Sequence, residues 1–220
     1  MRLRAWFQWL VACCLFATSA SGVAGAYNDF FAALTYDRPV VLRQLLERGF
    51  DPNTLSEKGE HGVMLGVREG SFKSVLVLLS AAQVKAEHRN AVDESPLMLA
   101  AIRGQLEVCK GLVGRGGMVN KDGWTPLHYA ASSAQLEIMK LLLTEGANVN
   151  SRSPNDTTPL MMAAMYGSTD AVKILLDAGA DTTLINMKKM DAAAFARQVG
   201  REDALRLIER SQATGLKLDK

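Results

Sequence analysis

Residues 122–131 read DGWTPLHYAA, and residues 155–164 repeat the pattern as NDTTPLMMAA. The prolines of these two segments recur with a 33-residue period. A third copy, ESPLMLAA at 94–101, places its proline at a 30-residue spacing before the first, and DAAAFA at 191–196 begins where the next copy is due. A recurring period of this size indicates a stack of similar structural modules rather than one unique core.

The first of these segments predicts the start of a short helix. Proline fixes φ at about −65° and is tolerated in the first helical turn, so Pro126 favours a helix start, with Thr125 positioned to cap it. Leu127, Ala130 and Ala131 then fall on one face of that helix. The small alanines predict that neighbouring helices approach one another closely.

The second half of each module repeats as well. Residues 136–150 (LEIMKLLLTEGANVN) match residues 171–181 (AVKILLDAGAD) and residues 41–53 (VLRQLLERGFDPN). The apolar residues recur at helical spacing and predict a second helix, which Gly146 ends because glycine readily adopts the left-handed conformation there. One helix pair cannot bury its apolar face alone, so stacking of the pairs must complete the core.

With its Thr-Pro-Leu-His at 125–128 and its 33-residue period, the chain resembles the ankyrin repeat family from about Tyr27 to Arg210. The resemblance implies an all-α ankyrin-repeat solenoid, in which stacked helix-turn-helix repeats carry β-turn fingers. We expect about six repeats, including degenerate caps, at 27–53, 56–86, 90–120, 121–152, 153–185 and 186–210, followed by a C-terminal tail at 211–220.

Two repeats depart from the pattern. In the second, Gly62 replaces the proline, Gly66 replaces the first alanine and Ala82 replaces the terminating glycine. The 30-residue spacing after the third repeat predicts a shortened finger, and the glycine-rich run at 111–117 before it predicts a locally loosened chain. This irregularity is either drift in the loops or a break in curvature that shapes a partner site.

The N-terminus has the order of a secretory signal peptide, with basic residues, an apolar stretch and then small residues up to Ala26. We expect a signal peptide at 1–26, cleavage after Ala26 and a periplasmic mature protein that begins at Tyr27. An uncleaved anchor is one alternative. Lipidation at Cys13 is another, because Leu-Val-Ala-Cys at 10–13 resembles a lipobox. The apolar stretch is too short to span a bilayer comfortably.

Residue chemistry favours a binding protein over an enzyme. The net charge of +2 and the 6% aromatic content give no sign of nucleic-acid binding. The histidines and cysteines have no zinc-ligand spacing, and no phosphate-binding or nucleophile motif occurs, so we predict no cofactor, metal or catalytic residue. Cys109 is predicted to be a buried core thiol. His128 matches the structural histidine of the family, whose ring bridges backbone groups of the turns.

The resemblance implies a protein partner that binds the fingers and the exposed face of the first helices. Carried over by register, the predicted partner-binding residues are Ile102, Arg103, Lys121, Asp122, Trp124, Ser133, Asn155, Thr157, Met165 and Tyr166. We expect a monomeric scaffold in the periplasm of a Gram-negative bacterium. The alternatives are a peroxide-defence factor associated with catalase, an immunity or chaperone protein for an exported toxin, and, less in keeping with the residues, an enzyme.

Overall fold

The computed structural model describes residues 24–214 of the 220. The predicted signal peptide up to residue 23, the lipidation candidate Cys13 and the last six residues of the predicted tail lie outside the described residues. The chain divides into two compact bodies, one ending at Val84 and the other beginning at Lys85. They are called the N-terminal body and the C-terminal body below.

The described part of the chain is built from helices and contains no β-strand, apart from one isolated bridge between Leu55 and His61. This confirms the all-α prediction. The N-terminal body contains α1 (24–35), α2 (Pro39–Glu47), α3 (Gly62–Glu69) and α4 (Phe72–Ser80). The C-terminal body contains α5 (Pro96–Ile102), α6 (Leu106–Gly114), α7 (Pro126–Ser132), α8 (Leu136–Thr144), α9 (Pro159–Met165), α10 (Thr169–Asp177), α11 (Ala192–Gln198) and α12 (Glu202–Thr214).

The C-terminal body is a stack of four helix pairs in two layers. The first helices α5, α7, α9 and α11 pack side by side, and the second helices α6, α8, α10 and α12 form a parallel row behind them. The alanines at the fifth position of the first helices, such as Ala100 and Ala130, are 0% exposed. Their small side chains allow the close approach that the sequence predicted, since a larger group there would hold the helices apart.

The fingers between helix pairs are β-turns of one design. In the finger at 90–94 the Asn90 N–H donates to the Glu94 carbonyl (3.0 Å) and the Asp93 N–H donates to the Asn90 carbonyl (3.0 Å). The fingers at 153–157 and 186–190 repeat both bonds. Each turn contains one left-handed residue three positions before the helix start, and this residue is Asp93 (φ 64°) in the first of them.

The finger before α7 is short, as the sequence predicted. The connection from α6 to α7 runs only from 115 to 125, whereas the equivalent connection from α8 to α9 runs from 145 to 158. Asn120 and Trp124 do not form the pair of turn bonds seen in the other fingers of the described chain. The Asn120 side chain bonds to the next repeat, donating to the Gly146 carbonyl (2.7 Å) and accepting from the Asn148 N–H (2.8 Å).

The glycine run before this finger does not loosen the chain, contrary to the prediction. Gly116 has φ 82°, and its N–H and that of Gly117 donate to the carbonyls of Val113 (2.9 Å) and Leu112 (2.8 Å). These bonds close the end of α6 in the same way that Gly146 closes α8, because both glycines occupy the left-handed position after a helix. The glycines therefore serve as an ordinary helix terminus.

The unusual glycines of the second repeat have a packing role in the N-terminal body. A Cβ on Gly66 of α3 would lie 2.6 Å from Cγ2 of the buried Val75 on α4. A Cβ on Gly62 would lie 2.8 Å from a methyl carbon of Leu34 on α1. Glycine at these two positions thus allows the helices to pack more closely than a residue with a Cβ would.

The last helix is longer than predicted. It continues to Thr214, four residues beyond the predicted end of the sixth repeat at Arg210. The residues 211–214 contain neither glycine nor proline, and the Gln212 side-chain amide donates to the Thr182 carbonyl (3.2 Å), which holds the final turn against the body. Its exposed, charged face is consistent with a terminal repeat.

Candidate protein-binding surface

A row of half-buried apolar side chains crosses the first helices of the C-terminal body. It consists of the fourth residue of each helix, namely Leu99 on α5, Tyr129 on α7, Met162 on α9 and Phe195 on α11. Because these helices pack side by side, the four positions follow one another across one face of the body. We call this row the apolar stripe.

A pocket opens in the middle of the apolar stripe beside the short finger. Ile102, Trp124, Tyr129, Ser132 and Met162 form its walls, with His128 beneath them, and its volume is about 220 Å³. Sites for small molecules usually enclose roughly 300–1,000 Å³. The pocket is therefore better matched to one large side chain of a partner than to a cofactor.

The floor of the pocket is fixed by His128, which is 0% exposed. Its Nδ1 accepts a hydrogen bond from the Thr125 N–H (3.1 Å), and its Nε2 donates to the Thr157 carbonyl in the next finger (2.9 Å). Burial is the main cause that lowers the pKa of His128 to about 4, so the ring is neutral at pH 7. The structure thus confirms the predicted bridging role.

The Trp124 ring lies edge-on to the His128 ring, with 5.2 Å between centroids and an interplanar angle of 78°. This arrangement is a favourable aromatic geometry, and it holds the indole as one wall of the pocket. Trp124 is half-buried rather than fully exposed. A tryptophan that is packed on its neighbours and still partly accessible suits a residue that anchors a partner.

Glu94 lies next to the pocket, because it is hydrogen-bonded to the wall residue Tyr129. Its Oε1 accepts from the Tyr129 hydroxyl (3.0 Å), and its Oε2 accepts from the Asn90 side-chain amide (2.8 Å). Burial, followed by the hydrogen bond to Glu94, raises the pKa of Tyr129 well above its usual range, so the phenol remains a donor. The neighbouring Asp93 is bound by Arg89 (3.1 Å) and Lys121, and these hydrogen bonds, that of Lys121 first, lower its pKa.

The predicted partner-binding residues differ in how accessible they are. Trp124 and Ile102 meet at the pocket, and Arg103, Asp122, Asn155 and Tyr166 are exposed on the C-terminal body. Ser133 and Met165 are half-buried. The Lys121 side chain is only 7% exposed, and its ammonium group pairs with Asp93.

Thr157 does not fit its predicted place on the surface. It is 5% exposed, because its carbonyl accepts the His128 hydrogen bond and its N–H is bound by the Ser153 hydroxyl (3.0 Å). These contacts draw the residue into the core between two repeats. A partner therefore cannot reach its side chain, and we omit it from the surface.

The sequence-based prediction missed Tyr129 and Met162, which are two of the five wall residues of the pocket. The available signal was the repeat register, since the fourth residue of each first helix is large and apolar in four successive repeats. At helical spacing this position lies between the buried face and the solvent face. From the sequence alone, a large apolar residue at such a position is interpreted as part of the core. Its exposure becomes apparent only when the positions of the neighbouring helices are known.

The third residue of the first helices is histidine in α7 and methionine in α5 and α9, and both residue types accept the same backbone hydrogen bond. Met98 and Met161 stand where α7 has His128, and each is 1% exposed. The Met98 sulfur accepts from the Ser95 N–H (3.3 Å), and the Met161 sulfur accepts from the Thr158 N–H (3.4 Å). The thioether replaces the imidazole as acceptor but cannot donate to the following finger.

Three other features bear on function, namely the Cys109 thiol, possible metal-ion sites and possible membrane-spanning helices. Cys109 is 0% exposed, and burial raises the pKa of its thiol to about 12, in keeping with the predicted core thiol. Within residues 24–214 no cluster of three or more His, Cys, Asp or Glu side chains could hold a metal ion. No helix in that range is both long and apolar enough to cross a membrane.

Comparison with known proteins agrees with this architecture. The family model described as ankyrin repeats (3 copies) matches residues 63–153, 115–188 and 146–214. No curated protein matched the sequence. The matched segments join into one stretch from residue 63 to residue 214, which is more than half of the 220-residue chain. The chain therefore belongs to the ankyrin repeat family, whose repeats generally mediate protein–protein interaction.

Proposed function

We propose that this protein is a non-catalytic scaffold that binds a partner protein through the apolar stripe and the pocket at its centre. The observation that carries the proposal is the pocket itself, in which Trp124, Tyr129 and the 40%-exposed Ile102 surround a space the size of one side chain. Tyr166, which is 60% exposed, adds a further aromatic group on the next repeat. Tryptophan and tyrosine are favoured residues at the centres of protein interfaces.

The proposal extends to the periplasm of a Gram-negative bacterium as the place of action. It is supported by the basic, apolar and small residues that follow one another in 1–26, and by Cys109 being the only cysteine after that segment. Mass spectrometry of the purified protein tests this proposal. A mature N-terminus at Tyr27 supports export with cleavage, whereas a diacylated Cys13 would show a lipid-anchored protein instead.

The test of partner binding is affinity capture from the periplasm of the native organism, with wild-type and variant protein as bait. We expect Trp124→Ala combined with Tyr166→Ala to abolish capture of the specific partner, with the Tm of the variant measured alongside. Tyr36→Ala is the matched control, because Tyr36 is 68% exposed but lies in the N-terminal body. It should retain the partner.

Trp124 packs on His128, so a second variant separates binding from stability. Ile102→Asp places a charge at a 40%-exposed position of the pocket and should also abolish capture. Retention of the partner by both variants would contradict the proposed surface. The captured protein also decides between the two partner classes, a catalase-type enzyme of peroxide defence and an exported toxin.

A further inference from the structure

We propose that the pocket recognises a two-part feature of the partner, a large apolar side chain that fills it and an adjacent cationic side chain that binds Glu94. This inference rests on the proposed function and specifies the chemistry of the partner segment.

The apolar part follows from the walls of the pocket. Four of its side chains, Ile102, Trp124, Tyr129 and Met162, present carbon or aromatic surface, and the volume of about 220 Å³ accepts one leucine, methionine or phenylalanine side chain. The methionine thioether adapts to ligands of different shape. Removing such a side chain from water favours binding in proportion to the apolar area that it buries, so one residue can anchor the partner.

The cationic part follows from the hydrogen bonds of Glu94. The carboxylate is held by Tyr129 at Oε1 (3.0 Å) and by Asn90 at Oε2 (2.8 Å), so it is oriented before any partner arrives. Both of these residues are neutral donors. A carboxylate oxygen has room for a second donor, and a charged donor forms the stronger bond.

The charges around Glu94 leave it without a cation in the described chain. The two basic groups that bind this finger, Arg89 and Lys121, are both paired with Asp93. No ion pair of Glu94 or of Asp122, an exposed carboxylate two residues before Trp124, occurs among residues 24–214. Within the described residues, Glu94 thus has no ion pair of its own beside the pocket, while the charges of Arg89 and Lys121 are held by the neighbouring Asp93.

A guanidinium group would suit this arrangement better than an ammonium group. Its planar fork can bind a carboxylate while its face stacks on an aromatic ring, and Tyr129 joins both features in one place. The expected partner segment thus carries an arginine, or less favourably a lysine, next to a large apolar residue.

Three hexapeptides with blocked ends test the inference on the full chain. Their sequences are Ala-Ala-Arg-Phe-Ala-Ala, Ala-Ala-Glu-Phe-Ala-Ala and Ala-Ala-Arg-Ala-Ala-Ala, titrated to millimolar concentration while the indole N–H signal of Trp124 is followed by NMR. We expect the Arg-Phe peptide to bind at least tenfold more tightly than either of the others. Its Kd should rise with added salt, because charge pairing contributes to binding.

Glu94→Gln is the decisive variant, since an amide oxygen still accepts from Tyr129 but carries no charge. We expect it to reduce the preference for Arg-Phe over Glu-Phe to less than threefold. Asp170→Asn, which removes an exposed carboxylate in the first turn of α10, is the matched control and should leave the preference unchanged.

Equal binding of the Arg-Phe and Glu-Phe peptides would overturn the cationic part of the inference. A Trp124 signal unmoved by every peptide would overturn the inference as a whole. Neither result bears on the capture of a whole partner by the apolar stripe, which the Trp124, Tyr166 and Ile102 variants test independently.

Discussion

At the scale of single residues, either an imidazole or a thioether accepts the backbone hydrogen bond at the third position of the first helices. His128 links two fingers through both ring nitrogens, while Met98 and Met161 keep only the acceptor bond. Only the histidine titrates. Its burial therefore makes one repeat sensitive to acid, and the two methionine repeats provide the comparison within the same chain.

The free energy of unfolding should fall as the pH decreases from 6.5 to 4. The folded-state pKa of His128 is about 4, below the ordinary value of 6.5, so the unfolded chain binds the proton more readily. The stabilisation is complete above pH 6.5 and is lost towards pH 4, by about 3 kcal/mol at most. Urea unfolding at several pH values measures it.

His128→Met is the matched variant for this prediction, because the chain itself uses methionine at that position. We expect it to lower stability at pH 7 by about 1–2 kcal/mol, since the Thr157 carbonyl loses its donor. The variant should also lose most of the decline between pH 6.5 and 4. A decline as steep as that of the wild type would assign the acid sensitivity to other groups.

At the scale of helices, the repeats differ in how their second helices begin. The Ser168 hydroxyl accepts from the Ala171 N–H (3.1 Å) and caps α10, whereas Gln135 at the start of α8 forms no side-chain cap bond. The two positions are equivalent in the repeat. Substituting both residues by alanine therefore distinguishes the free energy of the capping hydrogen bond from the effect of the surrounding packing.

Ser168→Ala should destabilise the protein by about 1 kcal/mol, because it leaves an N–H of the first turn of α10 without its acceptor. Gln135→Ala should have less than half this effect. Thermal and urea unfolding of the two variants, compared at one pH, check the difference. Equal losses would mean that water replaces the serine cap at no cost.

The helices were the part of the fold that the sequence predicted well, and the pocket was the part it predicted poorly. A 33-residue period with proline and glycine at fixed places determines where each helix begins and ends, and these are local properties. The burial of Thr157 depends on a hydrogen bond from His128 in the preceding repeat, which no local pattern reveals. Tyr129 and Met162 line the pocket only because α7 and α9 pack side by side.

At the scale of the whole molecule, stability in a repeat protein is close to a sum over repeats and their nearest neighbours. Effects of substitutions should then remain largely within the body that contains them. Two glycines, one in each body, are expected to respond in opposite directions to substitution by alanine. Gly66 has no room for a Cβ in the N-terminal body, and Gly114 in the C-terminal body has nothing within 4 Å of one.

Gly66→Ala should destabilise the N-terminal body by about 1–2 kcal/mol, because overpacking outweighs the better helix propensity of alanine. Hydrogen exchange followed by mass spectrometry should show faster exchange mainly at residues 24–84. Gly114→Ala should leave exchange unchanged or slow it in the C-terminal body. Faster exchange spread evenly over residues 24–214 would contradict this local view.

The buried thioether acceptors described above have a consequence for oxidative damage. Met187 and Met118 are 68% and 46% exposed, while Met98 and Met161 are 1% exposed. Peroxide reaches accessible thioethers first and converts them to sulfoxides that reductases can restore. We therefore expect Met187 and Met118 to be oxidised before the two buried sulfurs, which accept hydrogen bonds at the starts of α5 and α9.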